Sequence, residues 1–405
     1  MVRLIRLRSA LAIALLAAGA ASADGTLVNG VAEPTSAAPD AIGITSSAAT
    51  VLPNMSTARY GHTATRLPDG TVLIAGGGSP SFTAELYEPA LQAFRPVGDM
   101  NYGRSGHTAT LLSNGYVLIA GGLDQNISLS TAELFIPRSA TFTLTHPMTT
   151  TRIGFTATLL NTKQVLMVGG DPTGIAELFN PATRTFTRTG PMIHRRVSPA
   201  AVLLGDGRVL IAGGDTAGNT AEIFNPITGQ FSPTGSMLQP RRSPTATLLS
   251  NGYVLITGGD WGNVVGREML SSAEIYEPAK GLFFAIQPMS VGRLGHTATA
   301  LADGTVLVAG GATRLGGGNL CGYTNWFYWV TGSVERFSPA TGEFTYVSAD
   351  FLPVPRHGHT ATRLLTGDVL VTGGQTLVRK YCYYGGRYPA PYEQPIATAT
   401  AELIR

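Results

Sequence analysis

The sequence predicts an all-β fold: seven repeated units of four antiparallel strands, closed into a seven-bladed β-propeller. Three observations predict it. Gly-Gly pairs that end an apolar run recur seven times, beginning at Gly76, Gly121, Gly169, Gly213, Gly258, Gly310 and Gly373. An arginine precedes each pair by 17 residues, at Arg59, Arg104, Arg152, Arg196, Arg241, Arg293 and Arg356. A glutamate follows each pair, at Glu85, Glu133, Glu177, Glu222, Glu274, Glu335 and Glu402. From glutamate to the next arginine is 19 residues five times and 21 once, whereas the second glycine and the glutamate stand 7 to 28 apart. Fixed intervals belong to packed elements and variable ones to surface connections.

The chain opens with MVRLIRLR, a short apolar run and Ala21-Ser22-Ala23. That is the layout of a secretory signal peptide over 1–23, so the mature protein is expected outside the cytoplasm, secreted or periplasmic. Arg3, Arg6 and Arg8 account for the whole formal charge of +3. The mature chain is then neutral, which leaves no overall basic field for nucleic acid. No later segment reaches the roughly 20 apolar residues of a membrane span. Residues 24–45 mix Ala, Ser, Thr and Pro without periodicity and read as a flexible lead-in. The propeller takes 46–405.

Within a unit, a first strand such as the one from His62 alternates small and β-branched residues. The second, Thr71-Val72-Leu73-Ile74-Ala75, is a continuous apolar run suited to burial on both faces. Asp-Gly or Asn-Gly joins the two at Asp69, Asn114, Asp206, Asn251 and Asp303, a strong hairpin signal. A third strand carries the glutamate. A fourth centres on an aromatic nine residues later: Phe94, Phe142, Phe186, Phe231, Phe283 and Phe344. The last unit reaches Arg405 without its fourth strand. The repeat phase assigns that strand to 47–52, which closes the ring and removes an exposed edge.

The pattern R-x-x-H-T-A-T, then Asp-Gly, VLIAGG and AELYEP, resembles the kelch repeat of exported bacterial kelch-repeat proteins over 46–405. The resemblance implies a propeller of the galactose oxidase/kelch type and leaves function open, because such propellers serve many roles. Galactose oxidase itself implies copper on two His and two Tyr, one Tyr cross-linked to Cys. Its Tyr-His dipeptide is absent here, and most of the seven His belong to the repeat. No metal and no cofactor are predicted.

Strands alternate in direction, so the connection before the first strand and the one after the second share a face. The first carries the arginines and the second carries the insertions. The recurring Arg and Glu are expected to be structural, pairing with each other or with backbone. His62, His107, His296 and His359 share one repeat slot with Phe155, Pro199 and Pro244, which points to packing between blades. Asp171, Asp215 and Asp260 follow Gly-Gly pairs and read as loop caps or as a polar rim.

Blades 6 and 7 break the symmetry, with insertions over 314–330 and 376–395. A Cys321–Cys382 disulfide is expected between them, enclosing roughly 60 residues and contributing a few kcal/mol in the loop-entropy model. The candidate ligand-binding residues are Tyr323, Trp326, Tyr328, Trp329, Arg379, Tyr381, Tyr383, Tyr384 and Arg387. Their rings either pack into a small core that lets the insertions fold or form a recognition surface, since Trp, Tyr and Arg dominate binding hot spots. No catalytic set stands out from the repeat. The function expected is a monomeric binding module that recognises a protein or glycan through this face. The alternative is a propeller enzyme with its site at the channel mouth, copper oxidase-like or acting on polysaccharide.

Overall fold

The computed structural model describes residues 49–262, 267–320, 323–347, 351–382 and 390–405. Seven four-stranded antiparallel sheets form seven blades of a β-propeller. Blade 1 runs outward in chain order through Thr63–Arg66, Val72–Ala75, Ala84–Glu88 and Ala93–Pro96. Blade 7 uses Thr360–Arg363, Val369–Thr372 and Ala401–Ile404, and takes its outer strand from Thr50–Val51. Thr50 lies opposite Leu403 and Val51 opposite Glu402, so the ring closes as its repeat phase predicts.

The second strands explain the continuous apolar runs. Val117–Ala120 is buried throughout. Val117 and Ile119 pack with Leu73 and Ala75 of blade 1, while Leu118 and Ala120 pack with Val165 and Met167 of blade 3. Alternate side chains therefore serve alternate seams, and one apolar cluster fills each of the seven. On the outer half of a blade, aromatic residues sit directly opposite: Tyr87 with Phe94, and Phe179 with Phe186, their ring centres 5.1 and 4.8 Å apart.

The buried Arg–Glu pairs account for the fixed spacings. In every blade Nη1 of the arginine donates to the carbonyl of the first glycine, 17 residues on, at 2.7–3.0 Å. The guanidinium also pairs with the glutamate of its own blade. Six of those carboxylates accept a backbone N–H from the connection leading into the arginine at 2.7–3.0 Å, as Glu222 does from Ile193. At the seventh, where the interval is 21 residues, Val354 donates to Glu402 from 3.4 Å. Burying a charged pair this deeply costs least when its remaining hydrogen-bonding groups are satisfied. The backbone supplies most of them here, while Arg293 Nε and Glu402 Oε2 have no hydrogen-bond partner among the described residues.

The insertions expected as loops are antiparallel ribbons. Blade 6 carries Ala312–Leu320 paired with Tyr323–Val330, and blade 7 carries Gln375–Cys382 paired with Ala390–Ala397. Shorter ribbons rise from blade 2 (Leu123–Asp124 with Ile127–Ser128) and blade 5 (Asp260–Trp261 with Glu268–Met269). The reason lies in the entry: the residue after each of these Gly-Gly pairs bridges to the residue after the repeat arginine of its own blade, as in Ala312 with Leu294 and Gln375 with His357. That bridge starts an extended strand, and a sequence rich in Tyr, Trp and Phe continues it.

Candidate binding site at the propeller mouth

The residue after each repeat arginine sits at the top of an inner strand, and around the ring these are Tyr60, Ser105, Ile153, Val197, Arg242, Leu294 and His357. Three of them leave the aliphatic or small pattern, and all three join one cluster with the ribbons of blades 5 and 6. The ribbon strand Glu268–Met269 lies beside Ala312–Leu320, and Tyr323–Val330 lies beside the blade 7 ribbon, so the three form a wall along one side of the face.

Asp260 is the centre of the charged half of the cluster. It is fully buried, and its Oδ2 accepts from Arg267 Nε and from Arg242 Nη2 at 3.3 Å. Arg242 also donates to the carbonyl of Gly262 at 2.6 Å, and Arg267 Nη1 donates to the Tyr328 hydroxyl at 2.8 Å. Burial opposes the charge on Arg267, but the bond to Asp260 outweighs it and raises its pKa. Each guanidinium covers a ring: Arg242 over Trp261 at 5.5 Å and Arg267 over Tyr328 at 5.9 Å. Asp260 Oδ1 and Arg242 Nε are buried without a partner among the described residues.

The aromatic half is a column of three rings. His357 meets Tyr60 edge-on at 5.6 Å and Tyr328 edge-on at 5.3 Å. Burial pulls the His357 imidazole down to about 4, so the ring is neutral near pH 7. Burial, and after it the neighbouring Tyr328, pushes Tyr60 up to about 12. Two glycines shape this surface. A Cβ on Gly358 would lie 2.4 Å from the Tyr60 ring, and one on Gly218 would lie 2.2 Å from the Trp261 indole. Both glycines have positive φ, 60° and 79°, which suits a residue without a side chain.

Tyr328 therefore belongs to both of the arrangements expected for the aromatic insertions. It packs against the small core of Met269, Leu294 and Ala312 beneath the ribbons, and it also bonds Arg267 at the mouth. Trp329, the next residue, points the other way, 36% exposed, with Arg314 over its ring at 5.1 Å. Tyr323 and Trp326 lie on the same strand, with Tyr323 opposite Leu320 and Trp326 opposite Gly317. Arg379, Tyr381 and Cys382 lie on the blade 7 ribbon, opposite Glu393, Pro391 and Ala390. Cys321, Tyr383, Tyr384 and Arg387 fall outside the described residues, and the Cys321–Cys382 pairing with them.

The repeat histidines lie away from the mouth, in the seams. His107 Nε2 bonds Thr63 Oγ1 of the preceding blade at 3.0 Å, and His62 Nε2 bonds Thr372 Oγ1 of blade 7 at 3.1 Å. Burial, then the neighbouring arginines, pulls His62, His107 and His296 down to about 3, and burial lowers His359 as well. Asp171 caps its own loop, accepting from the Thr173 backbone at 2.8 Å.

Tyr60, Arg242, Arg267, Trp261 and His357 were not singled out by the repeat analysis. The signal for three of them is present in the sequence, as departures at the position after the repeat arginine.

No family model and no curated protein matches this chain. Solved structures do. A fungal alcohol oxidase of the AA5 family, in complex with copper, superposes with a TM-score of 0.68 at 16% identity, over 88% of this chain and 76% of that one. The structure of YjhT superposes with a TM-score of 0.56 at 12% identity, over 73% of this chain and 99% of that one. What this chain shares with both is the β-propeller fold.

Proposed function

We propose that this chain is an exported binding module that recognises a glycan or a protein through the face bearing the ribbons of blades 5 to 7. Of the two, a glycan suits the mouth better. The observation that carries this reading is the network of Arg242, Asp260, Arg267 and Tyr328 set against the ring column of Tyr60, His357 and Tyr328. Aromatic faces take the C–H faces of sugars, while fixed guanidinium groups donate to ring hydroxyls. Four blades hold these groups in place before a ligand arrives, which lowers the entropy cost of binding. Trp329, with Arg314 on its ring, extends the surface outward. In this reading residues 1–23 are removed on export, and a Cys321–Cys382 bond joins the two long ribbons. Intact mass with and without reductant tests the bond.

A glycan array probed with wild type, Tyr328→Ala/Trp329→Ala and Arg242→Met tests the site. Loss of a selective signal in folded variants is expected. A signal that all three proteins give equally would sink the proposal.

A copper oxidase, which the AA5 neighbour suggests, needs donors that the mouth does not offer among the described residues. Among the described residues the mouth offers one imidazole, His357, and the Tyr328 hydroxyl is engaged by Arg267. The remaining repeat histidines are committed to threonines in the seams. This set does not fit two imidazoles and two phenolates on one ion, and no redox step is assigned. Stoichiometric copper in purified protein, with peroxide release on sugars or alcohols, would overturn the binding reading.

A further inference from the structure

The face opposite the ribbons is built from two chain reversals in blades 1 to 6 and one in blade 7, and the inner reversal follows a rule. The hairpin between the inner and second strands puts glycine at positive φ in six blades, at Gly70, Gly115, Gly207, Gly252, Gly304 and Gly367. The turn between the third and outer strands does so at Gly229, Gly281 and Gly342. Blade 3 departs from the glycine at both places, each time with a cation: Lys163 at φ 66°, where every other blade has glycine, and Arg184 at φ 57°, where blades 1 and 2 depart as well with the uncharged Gln92 and Ala140. An L side chain in this left-handed region is strained, and neither residue type is chosen for turn chemistry.

The two cations leave the same end of the blade. Val165 pairs with Phe179 and Asn180 with Thr185, so the reversals just before Val165 and just after Asn180 lie side by side, about 10 Å apart at two strand spacings. Arg138 occupies the corresponding outer turn of blade 2. The blades are tied here by His146, whose backbone N–H donates to the Arg184 carbonyl at 3.2 Å. A shallow groove of about 310 Å³, lined by Leu144, Thr145, His146, Thr183 and Arg184, runs along this tie.

Among the described residues Arg138, Lys163 and Arg184 form no ion pair, and Asp206 of the adjacent blade 4 hairpin is engaged by Arg208. Between residues 134 and 205 the only carboxylates are Asp171 and Glu177, both buried against Arg152. Cations at the same turns elsewhere are paired: Lys280 with Glu277 at 3.0 Å in blade 5, and Arg208 with Asp206 at 2.6 Å in blade 4. Arg138, Lys163 and Arg184 are all exposed, as are Thr141, Thr162 and Thr183 among them.

We propose that this face of blades 2 and 3 binds a polyanionic glycan. Its sulfate, phosphate or carboxylate groups meet Arg138, Lys163 and Arg184, and its hydroxyls meet the threonines. Hydroxyl groups interleaved with separated cations match a charged sugar chain better than a continuous phosphate backbone. The surface is distinct from the mouth and does not depend on the function proposed for it.

Heparin, a sulfated glycan, is the probe. Wild type is expected to bind it at about 50 mM salt and progressively less as salt screens the charges. Lys163→Gly/Arg184→Gly gives the first turn the glycine of the other six blades and the second that of blades 4 to 6. It should bind at least about tenfold more weakly, the loss expected when two charge contacts go, while melting no lower than wild type. Lys280→Gln, at the same turn of blade 5, should bind like wild type. Unchanged heparin affinity in the double variant, or an equal loss in Lys280→Gln, would overturn the proposal. Tighter binding of an oligonucleotide of matched charge would overturn the assignment to a glycan.

Discussion

Gly374 donates its backbone N–H to the carbonyl oxygen of Arg59 at 2.8 Å, joining blade 7 to blade 1. The same bond, from the second glycine of one blade to the repeat arginine of the next, recurs at the other six seams, from Gly77 to Arg104 through Gly311 to Arg356. The arginine thus serves two blades: its side chain ties its own together and its carbonyl receives the preceding one. The joint that closes the ring has the geometry of the joints within it.

Closure should therefore be energetically continuous with the rest of the ring. Leu52 donates its N–H to Ala401 and is buried in the seam between blades 7 and 1. Leu52→Ala is expected to cost about 3 kcal/mol. Val51, one residue earlier and 62% exposed, should change stability by less than about 0.5 kcal/mol when replaced by Ala. Urea unfolding of the two variants checks the contrast, and equal effects would mean that Thr50–Val51 is not held in the blade.

Removing one member of an Arg–Glu pair should be worse than removing both. Arg196→Met leaves Glu222 buried without its cation and is expected to cost about 3–5 kcal/mol. Arg196→Met/Glu222→Leu should recover part of that loss. A double-mutant cycle on equilibrium unfolding measures it, and strict additivity would show that the pair is not coupled.

Acid should unfold the protein through the seams. His62, His107 and His296 have folded pKa values of about 3 and His357 about 4, against 6.5 when unfolded. The folded values are depressed, so this stability is complete above pH 6.5 and is lost as pH falls from there toward 4 and then 3. Each such histidine contributes up to about 1.4 kcal/mol per pH unit in that window. His107→Phe, the side chain that blade 3 carries at Phe155, should flatten the acid limb by one proton. Melting temperatures from pH 7 to pH 4 test this, and an unchanged slope would remove His107 from the titrating set.

Gly218 and Trp261 offer a test of the mouth without touching a polar group. Gly218→Ala places a Cβ in the indole at a φ of 79°. It should cost about 1–2 kcal/mol, displace Trp261 from under Arg242, and change the near-UV circular dichroism. Glycan binding should weaken with it. A wild-type spectrum from the variant would show that the ring does not rest there.

The two kinds of site were unequally legible in the sequence. Tyr328 and Trp329 were found because they interrupt a regular repeat. Arg242, Arg267 and His357 were not, since their importance comes from convergence: Tyr60 and His357 are remote in the chain, and the closed ring places their rings 5.6 Å apart. The basic surface of blades 2 and 3 was hidden for a different reason. A net charge of zero over residues 24–405 says nothing about where the charges stand, and only the buried positions of Asp171 and Glu177 leave their exposed neighbours unbalanced.

By itself the sequence determined the number of blades, their four-strand order, the phase of the closing strand and the connection in which insertions are tolerated. These follow from local periodicity and near-constant spacings, because each blade repeats one hydrogen-bonded unit that tolerates little variation, the exception being the longer interval before Arg356. Only the tertiary structure decided that the insertions are ribbons forming a wall, and that Asp260 is shared by two arginines. It also decided that Lys163 and Arg184 stand at one end of a blade with no ion-pair partner among the described residues. Those properties depend on contacts between blades, and ring closure makes neighbours of residues whose separation along the chain carries no trace of it.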